Sequence, residues 1–251
     1  MTDYRPIAAT LEEALGLKLP PIAVCLTDTV PPGVPAHRGI VPAGCVFWEQ
    51  AAHGAFVTAT PDHELCAVGV HTHHLADPSN RHLAELASVL KVMAGLDYVR
   101  EQDVAAIPVV KNAVKHVIYA PLGQTPLPPD AVLLFAHSRQ GLVITEAIQQ
   151  VDPEVPPALG RPACAVVPQA VNSGRAALSL GCCGARAYLD HLTDDTAVWA
   201  LPGEKIALYA ARIAKLAKAN EVLGRFHALR RADVAGGGQP TYADSLARIK
   251  G

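Results

Sequence analysis

The stretch Ala131–Ala136, AVLLFA, followed closely by Gly141–Gln149, decides the fold class. A short uninterrupted apolar run is typical of a buried strand, and the segment after it has the composition of a helix. Two more apolar segments, Ile22–Leu26 and His116–Tyr119, also predict strands. Strands that alternate with helices along the chain predict a mixed α/β fold.

Further elements extend outward from this centre. Strands are predicted at Phe56–Thr60, Ala176–Leu180 and Ala197–Leu201, and helices at Pro6–Leu19, within Gly44–Gly54, at Asn80–Leu96, from Arg161–Cys164 onward and at Pro202–Leu229. The Asn80–Leu96 segment has an apolar stripe that is formed by Leu83, Leu86, Leu90 and Met93.

The domain organisation follows from the absence of repeats, charge blocks and long linkers in the sequence. We expect one compact α/β domain over residues 1–234 and a flexible C-terminal tail over residues 235–251, which contains three successive glycines. Two intimately packed lobes that divide near Lys111 are the alternative.

Composition excludes several classes of protein. The chain of 251 residues is 50% hydrophobic and 18% charged, which is typical of a globular protein, and its net charge of −2 offers no basic excess for nucleic acid. Its longest stretch without acidic or basic residues, His116–Pro129, contains four prolines and is shorter than the ~18 apolar residues of a membrane span. The N-terminus lacks the pattern of a signal peptide. We therefore expect a cytoplasmic protein without nucleic-acid or membrane partners.

Six cysteines are the residues most suited to chemistry. The cytosol keeps ordinary thiols reduced, so they are interpreted as buried thiols, nucleophiles or metal ligands. No C-x-x-C pair, which would indicate a zinc ribbon, a redox motif or a ferredoxin cluster, is present in the sequence. Cys25 falls inside an apolar strand, whereas the other five lie at predicted turns or helix starts.

Four of these cysteines are candidate metal ligands. Backbone N–H groups at helix starts and glycine turns stabilise thiolates, and the cysteines in such positions are Cys45, Cys66, Cys164 and Cys182. Four thiolates are the number that a [4Fe–4S] cluster, a [2Fe–2S] cluster or a structural zinc ion uses. Cys183 and His63 are second choices. The spacing does not determine whether the four thiols converge.

Two other groups of residues have open interpretations. The histidine-rich segment, which contains His63, His71, His73, His74 and His82, suits a divalent metal or a polar surface loop. Arg186, after the turn Gly181–Gly184, either binds an anion together with the turn's backbone or closes a strand-to-helix turn.

Several motifs together resemble the DUF169 family of prokaryotic proteins. The resemblance extends from Leu15 to about Ile213 and rests on Gly44–Gly54, Asp62–Gly69, Tyr119–Gly123, Pro129–Leu133, Gly160–Cys164 and Leu180–Arg186. It implies cysteines at the positions of Cys45, Cys66, Cys164 and Cys182. The chain departs from the family pattern at Ala67, where a proline is expected, and in the additional Cys183.

The leading hypothesis is a cytoplasmic iron–sulfur protein in which these four cysteines hold a cluster, most simply [4Fe–4S]. Its role would be electron transfer or reduction of a small molecule, as in an oxidoreductase, with a redox partner or substrate that the sequence does not identify. A zinc-binding enzyme and a metal-free ligand-binding or regulatory protein are the alternatives. A homodimer is the oligomer to expect, because two-fold dimers are the commonest.

Overall fold

Seven strands form one mixed sheet in the computed structural model of the chain, which describes residues 2–153 and 156–250. The strands are β1 (Ile22–Thr27), β2 (Phe56–Ala59), β3 (His116–Pro121), β4 (Ala131–His137), β5 (Ala158–Leu159), β6 (Ala177–Ser179) and β7 (Thr196–Pro202). Their order across the sheet is β2-β3-β1-β4-β7-β6-β5, and every pair is antiparallel except β5 with β6. The predicted α/β fold is therefore confirmed, as a single unit on one sheet.

Ten α-helices connect and cover these strands in the described residues. They are α1 (Arg5–Leu15), α2 (Val46–Gln50), α3 (Ala67–Thr72), α4 (Asn80–Gly95), α5 (Glu101–Val104), α6 (Ser138–Val151), α7 (Val166–Ser173), α8 (Cys183–Tyr188), α9 (Ile206–Ala235) and α10 (Tyr242–Lys250). None of these helices combines the length and the hydropathy that crossing a membrane requires.

Strand register divides the core between the two faces of the sheet. Val24 lies opposite Tyr119 and Cys25 opposite Ile118, so adjacent residues of β1 and β3 point to opposite faces. The face that carries Val24 and Tyr119 packs against α2, α3, α7 and α8, and is called the cysteine face below. The other face packs mainly against α1, α6 and α9, and is called the helix face. Cys25 belongs to the second.

The C-terminal segment differs from its prediction. The residues expected to form a flexible tail include α10, which folds back on α9. Phe226 and Tyr242 stack with ring centroids 5.8 Å apart, and the Arg230 guanidinium lies 4.4 Å above the Tyr242 ring. The three glycines form the turn between two helices, and the tail is held by aromatic packing that the glycine run does not reveal.

Helix α4 begins and ends close to the predicted positions, but its apolar stripe is not buried. His82 is its one fully buried residue among those described, and Leu83 is exposed. The reason is its surroundings, because the main neighbours of α4 are the short helices α3 and α5, which are too small to cover it.

Candidate functional site

The four predicted ligand cysteines lie at the starts of helices on the cysteine face. Cys45 immediately precedes α2, Cys66 precedes α3 and Cys182 precedes α8, while Cys164 lies in the single turn that leads into α7. The segments that carry them therefore enter the same layer above the sheet. Cys25 lies across the sheet, where its thiol is 3.4 Å from Thr125 Oγ1.

The four thiols are close enough to act on one another electrostatically. Burial raises the pKa of Cys45 to about 12, with further increases from Cys66 and Cys182. The pKa of Cys66 is also raised, by burial first and then by Cys182. Burial raises the pKa of Cys164 well above its ordinary value, and Cys66, Cys45 and Cys182 add to this. Each of the six possible pairs within this set thus interacts.

The four thiols nevertheless do not form the ligand set of a single metal ion. Within residues 2–153 and 156–250, no three histidine, cysteine, aspartate or glutamate side chains are arranged as ligands of a single ion. In a tetrahedral zinc site, zinc–sulfur bonds of about 2.3 Å bring the sulfurs to within about 4 Å of each other. The four cysteines are therefore neighbours that are not arranged as the ligands of one small ion.

Two glycines form a tight cradle around Cys66. The backbone amides of Gly44 and Gly69 face its sulfur and partly offset the effect of burial on its pKa. A Cβ atom on Gly44 would lie 2.8 Å from His63 Nδ1, and one on Gly69 would lie 3.0 Å from Cys66 Sγ. Both positions need glycine because the histidine and the thiol approach the backbone this closely.

His63 presents a free lone pair beside this cradle. The Thr58 hydroxyl donates to the Val117 carbonyl oxygen at 3.3 Å, so the contact of 3.5 Å between Thr58 Oγ1 and His63 Nε2 assigns the ring proton to Nε2. Nδ1 is then unprotonated, and it is buried without a hydrogen-bond partner among the described residues. Burial, followed by the neighbouring His73, lowers the pKa of His63 to about 3, so the ring is neutral.

The other histidines have different roles. His73 is buried and donates from Nδ1 to the Gly69 carbonyl oxygen at 3.0 Å, and burial lowers its pKa to about 4. His82 donates from Nε2 to the His63 carbonyl oxygen at 3.2 Å. His74 Nδ1 instead contacts the Val110 carbonyl oxygen at 2.8 Å. The structure thus places His63, His73 and His82 together near the cysteines, and His82 bonds the turn around His63.

Tyr119 is a site residue that the sequence analysis missed. Its side chain is fully buried on the cysteine face, and its hydroxyl has no hydrogen-bond partner in the described part of the chain. Burial raises its pKa well above the ordinary value, and Cys66, Cys164 and Cys45 add to the effect. The hydroxyl therefore stays protonated among three of the four thiols. A tyrosine inside a predicted strand gives no local signal of this position.

The group of thiols reaches solvent on one side. Cys45 and Cys164 are buried, whereas Cys66 and Cys182 are partly exposed and Cys183 is exposed. Cys183 raises the pKa of none of the other thiols, whereas Cys182 acts on three of them. Of the adjacent pair, Cys182 is the one that the structure brings to the site.

Arg186 directs its guanidinium at backbone carbonyl groups. It donates to the Leu180 carbonyl oxygen at one end of the turn and to the Thr193 carbonyl oxygen, at 2.7 Å, at the other. These bonds link the segment before Cys182 to the loop before β7. The arrangement favours the structural interpretation, in which Arg186 closes the strand-to-helix turn, over the anion site.

A large groove lies away from the cysteines, on the helix face. It has a volume of about 1080 Å³ and runs between α1, α6 and α9, with Arg139, Leu142 and Leu223 in its walls. No predicted site residue lines it.

These features define an α/β protein with four neighbouring thiols on one face of a mixed sheet. Residues 10–212 match the model of the DUF169 family, which is described as "Uncharacterised ArCR", and this match shows that the chain belongs to the DUF169 family. The resemblance drawn from the motifs is confirmed, and the matched range includes all six cysteines. No curated protein and no solved structure matches the chain.

Proposed function

We propose that the protein is an iron–sulfur protein with a redox role, in which Cys45, Cys66, Cys164 and Cys182 hold a [4Fe–4S] cluster. The observation that carries the proposal is the packing of Cys45, Cys164 and Cys182 in one buried cluster, with the sulfur of Cys66 next to Gly44. No three of them are arranged as ligands of one ion in the described residues, and a cubane, whose four thiolates bind four separate irons, does not require such an arrangement. A reducing cytoplasmic compartment would suit such a site.

An unpartnered polar atom among the thiols supports the same proposal. The Tyr119 hydroxyl is buried without a hydrogen-bond partner in the described residues. Native proteins rarely bury such atoms unsatisfied, and the cost is about 1–3 kcal/mol for each. A sulfur-rich group held by the cysteines would give the hydroxyl an acceptor.

The electrostatics define what a bound metal group would have to supply. Burial and mutual repulsion hold the thiols of Cys45, Cys66 and Cys164 in their protonated form, because each ionised sulfur would raise the pKa of the next. Four thiolates can coexist here only if positive charge lies between them. The amides of Gly44 and Gly69 contribute part of this stabilisation at Cys66.

The chain's own residues divide the work of such a site. Iron–sulfur clusters supply one-electron transfer, at potentials that depend on hydrogen bonds and solvent exposure. Buried Cys45 and Cys164 keep water from the inner side, and partly exposed Cys66 and Cys182 mark the side that a redox partner or small substrate can approach. His63 orients the turn of Cys66 from behind.

Zinc is the second candidate, and one observation favours it. The unprotonated Nδ1 of His63 lies beside Cys66, and a mixed set of thiolates and imidazole is a normal zinc site. This site would require the cysteines to move together around one ion, which the present spacing does not provide.

The experiment is metal and sulfide analysis of protein that is purified without air. We expect about four irons and four acid-labile sulfides per chain, with broad visible absorption. Cys45→Ser should lose most of the iron. Cys25→Ser, which alters a buried cysteine across the sheet, is the matched control and should keep it. One zinc without sulfide would establish the second candidate, and a protein with neither iron nor zinc would refute both in favour of the metal-free alternative.

A further inference from the structure

The position of Tyr119 within the cysteine face is fixed by its neighbours. It lies in β3 opposite Val24 of β1, and its ring stacks on Phe47 with centroids 5.7 Å apart. Phe56 contacts it from β2 at 5.9 Å. Three packed sides leave the ring one orientation, so the direction of its hydroxyl is set by the fold.

The side chain of Tyr119 is buried in the same cluster as the thiols. Tyr119 shares a packed cluster with Cys45 and Cys164, and the charges of these two and of Cys66 act on it. None of the three sulfurs forms a hydrogen bond with the hydroxyl, which has no partner among the described residues. The phenol is thus buried among the thiols without a bond to any of them.

Tyr209, on the helix face, shows the usual arrangement of a buried tyrosine. Its hydroxyl donates to Asp152 at 2.6 Å, and Asp152 also binds Lys205 at 2.8 Å. The two tyrosines are both fully buried, but only Tyr209 has its hydrogen bond within the described chain. A purely structural role therefore explains Tyr209 and does not explain the hydroxyl of Tyr119.

We infer that the Tyr119 hydroxyl donates a hydrogen bond to a sulfur atom of the group that the four cysteines hold, and that this bond sets the reduction potential of the group. The inference rests on the proposed iron–sulfur function and goes further by assigning a residue that tunes it. Reduction adds negative charge to the sulfurs, so a fixed donor stabilises the reduced form more than the oxidised form. Tyr119 thereby raises the potential.

The test compares Tyr119→Phe with the wild type in the iron-loaded protein, by spectroscopic redox titration together with iron and sulfide analysis. We expect wild-type iron and sulfide contents and a midpoint potential that is shifted to more negative values. Tyr209→Phe is the matched control. It removes a hydroxyl of equal size on the other face, so we expect a lower Tm from the lost hydrogen bond and an unchanged potential.

A second variant tests the opposite direction. Site-specific 3-fluorotyrosine at position 119 keeps the ring in place and makes its hydroxyl a stronger donor, so we expect a more positive potential. This variant also tests whether the Tyr119 hydroxyl affects the potential if Tyr119→Phe does not fold.

The outcomes separate this inference from the proposed function. The role of Tyr119 alone would be overturned if the wild type contains iron and sulfide but the variants do not change its potential. This comparison uses whichever of the two position-119 variants folds. A wild type that contains neither iron nor sulfide would overturn both. A lower Tm in Tyr119→Phe without a change in potential would make the residue structural.

Discussion

The two faces of the sheet are built from the same strands but treat buried polar groups differently. On the helix face, Gln140 donates to the carbonyl oxygens of Leu15 and Gly16 at 2.7 and 3.1 Å, and Tyr209 binds Asp152. Trp199 Nε1 is the exception there among the described residues. On the cysteine face, the buried polar atoms without a partner in the described chain are His37 Nδ1, Trp48 Nε1, His63 Nδ1, His73 Nε2, Tyr119 Oη and Gln169 Oε1.

This difference distinguishes a scaffold from a site. A layer whose purpose is stability satisfies its polar atoms, because each unsatisfied one costs free energy. A layer that holds a ligand leaves atoms to be satisfied by that ligand. The four thiols lie on the face with more unsatisfied atoms. Under the proposed function we expect changes on the helix face to affect stability and changes on the cysteine face to affect the iron content.

The largest expected effect concerns the adjacent thiols of the cysteine face. Cys182→Ser should remove most of the iron, because Cys182 interacts with the other three thiols. Cys183→Ser should leave the iron content close to that of the wild type, because Cys183 is exposed. Iron per chain after anaerobic purification is the measurement. Equal losses in both variants would contradict the assignment of Cys182.

On the helix face, Ile144→Ala should lower the free energy of unfolding and leave the iron content unchanged. Ile144 is fully buried in α6, and truncating such a side chain costs about 2–5 kcal/mol in the free energy of unfolding. Denaturant titration measures the loss. If the folded variant also lost its iron, the two faces would not be independent.

A smaller effect is expected at the cradle of Cys66. Gly44→Ala places a Cβ atom 2.8 Å from Nδ1 of the buried His63, and such overpacking costs about 1–3 kcal/mol. Gly224→Ala is the control, because that position in α9 is open and alanine should stabilise the helix by up to about 1 kcal/mol. Denaturant titrations should therefore give changes of opposite sign, and two changes of the same sign would argue against the cradle.

The effect that builds up most gradually is a dependence of stability on pH from His73. Its pKa falls from the ordinary 6.5 to about 4 because burial disfavours the charged ring. A histidine with a lowered pKa contributes its full stability above pH 6.5. Below that value the unfolded chain binds a proton that the folded chain does not, and about 1.4 kcal/mol is lost per pH unit down to about pH 4. Denaturant titrations between pH 7.5 and 5 measure this slope, and His73→Gln should reduce it. An unchanged slope would mean that His73 is not the group responsible.

Local sequence patterns predicted the elements of the fold better than its site. The apolar runs of β1 and β4 and the period of α6 are set by neighbouring residues, and they are confirmed. β5 was missed because a strand of two residues, Ala158 and Leu159, has no pattern to recognise. The exposed stripe of α4 shows the converse, since amphipathicity cannot reveal whether a neighbour exists to bury it.

The site depended on contacts between distant residues. The glycines beside Cys45 and Cys182 were visible in the sequence, whereas the helix that starts after Cys66 was not predicted. The meeting of these segments is a consequence of strand order, which spacing does not determine. Tyr119 was missed because a buried tyrosine in a strand is usually a core residue. Only the register that sets it opposite Val24 places it on the cysteine face.

The charges of the chain are distributed unevenly, and the division falls within the long helix α9. The family match ends at residue 212, inside this helix, and α10 folds back along the part that follows. Residues 213–251 contain seven lysines and arginines against three acidic residues, whereas residues 1–212 contain fourteen against twenty. The near-neutral total is therefore the sum of a basic helical hairpin and an acidic body. The molecule has an electric dipole, and in a field or near an anionic surface at low salt the hairpin end turns toward the negative side.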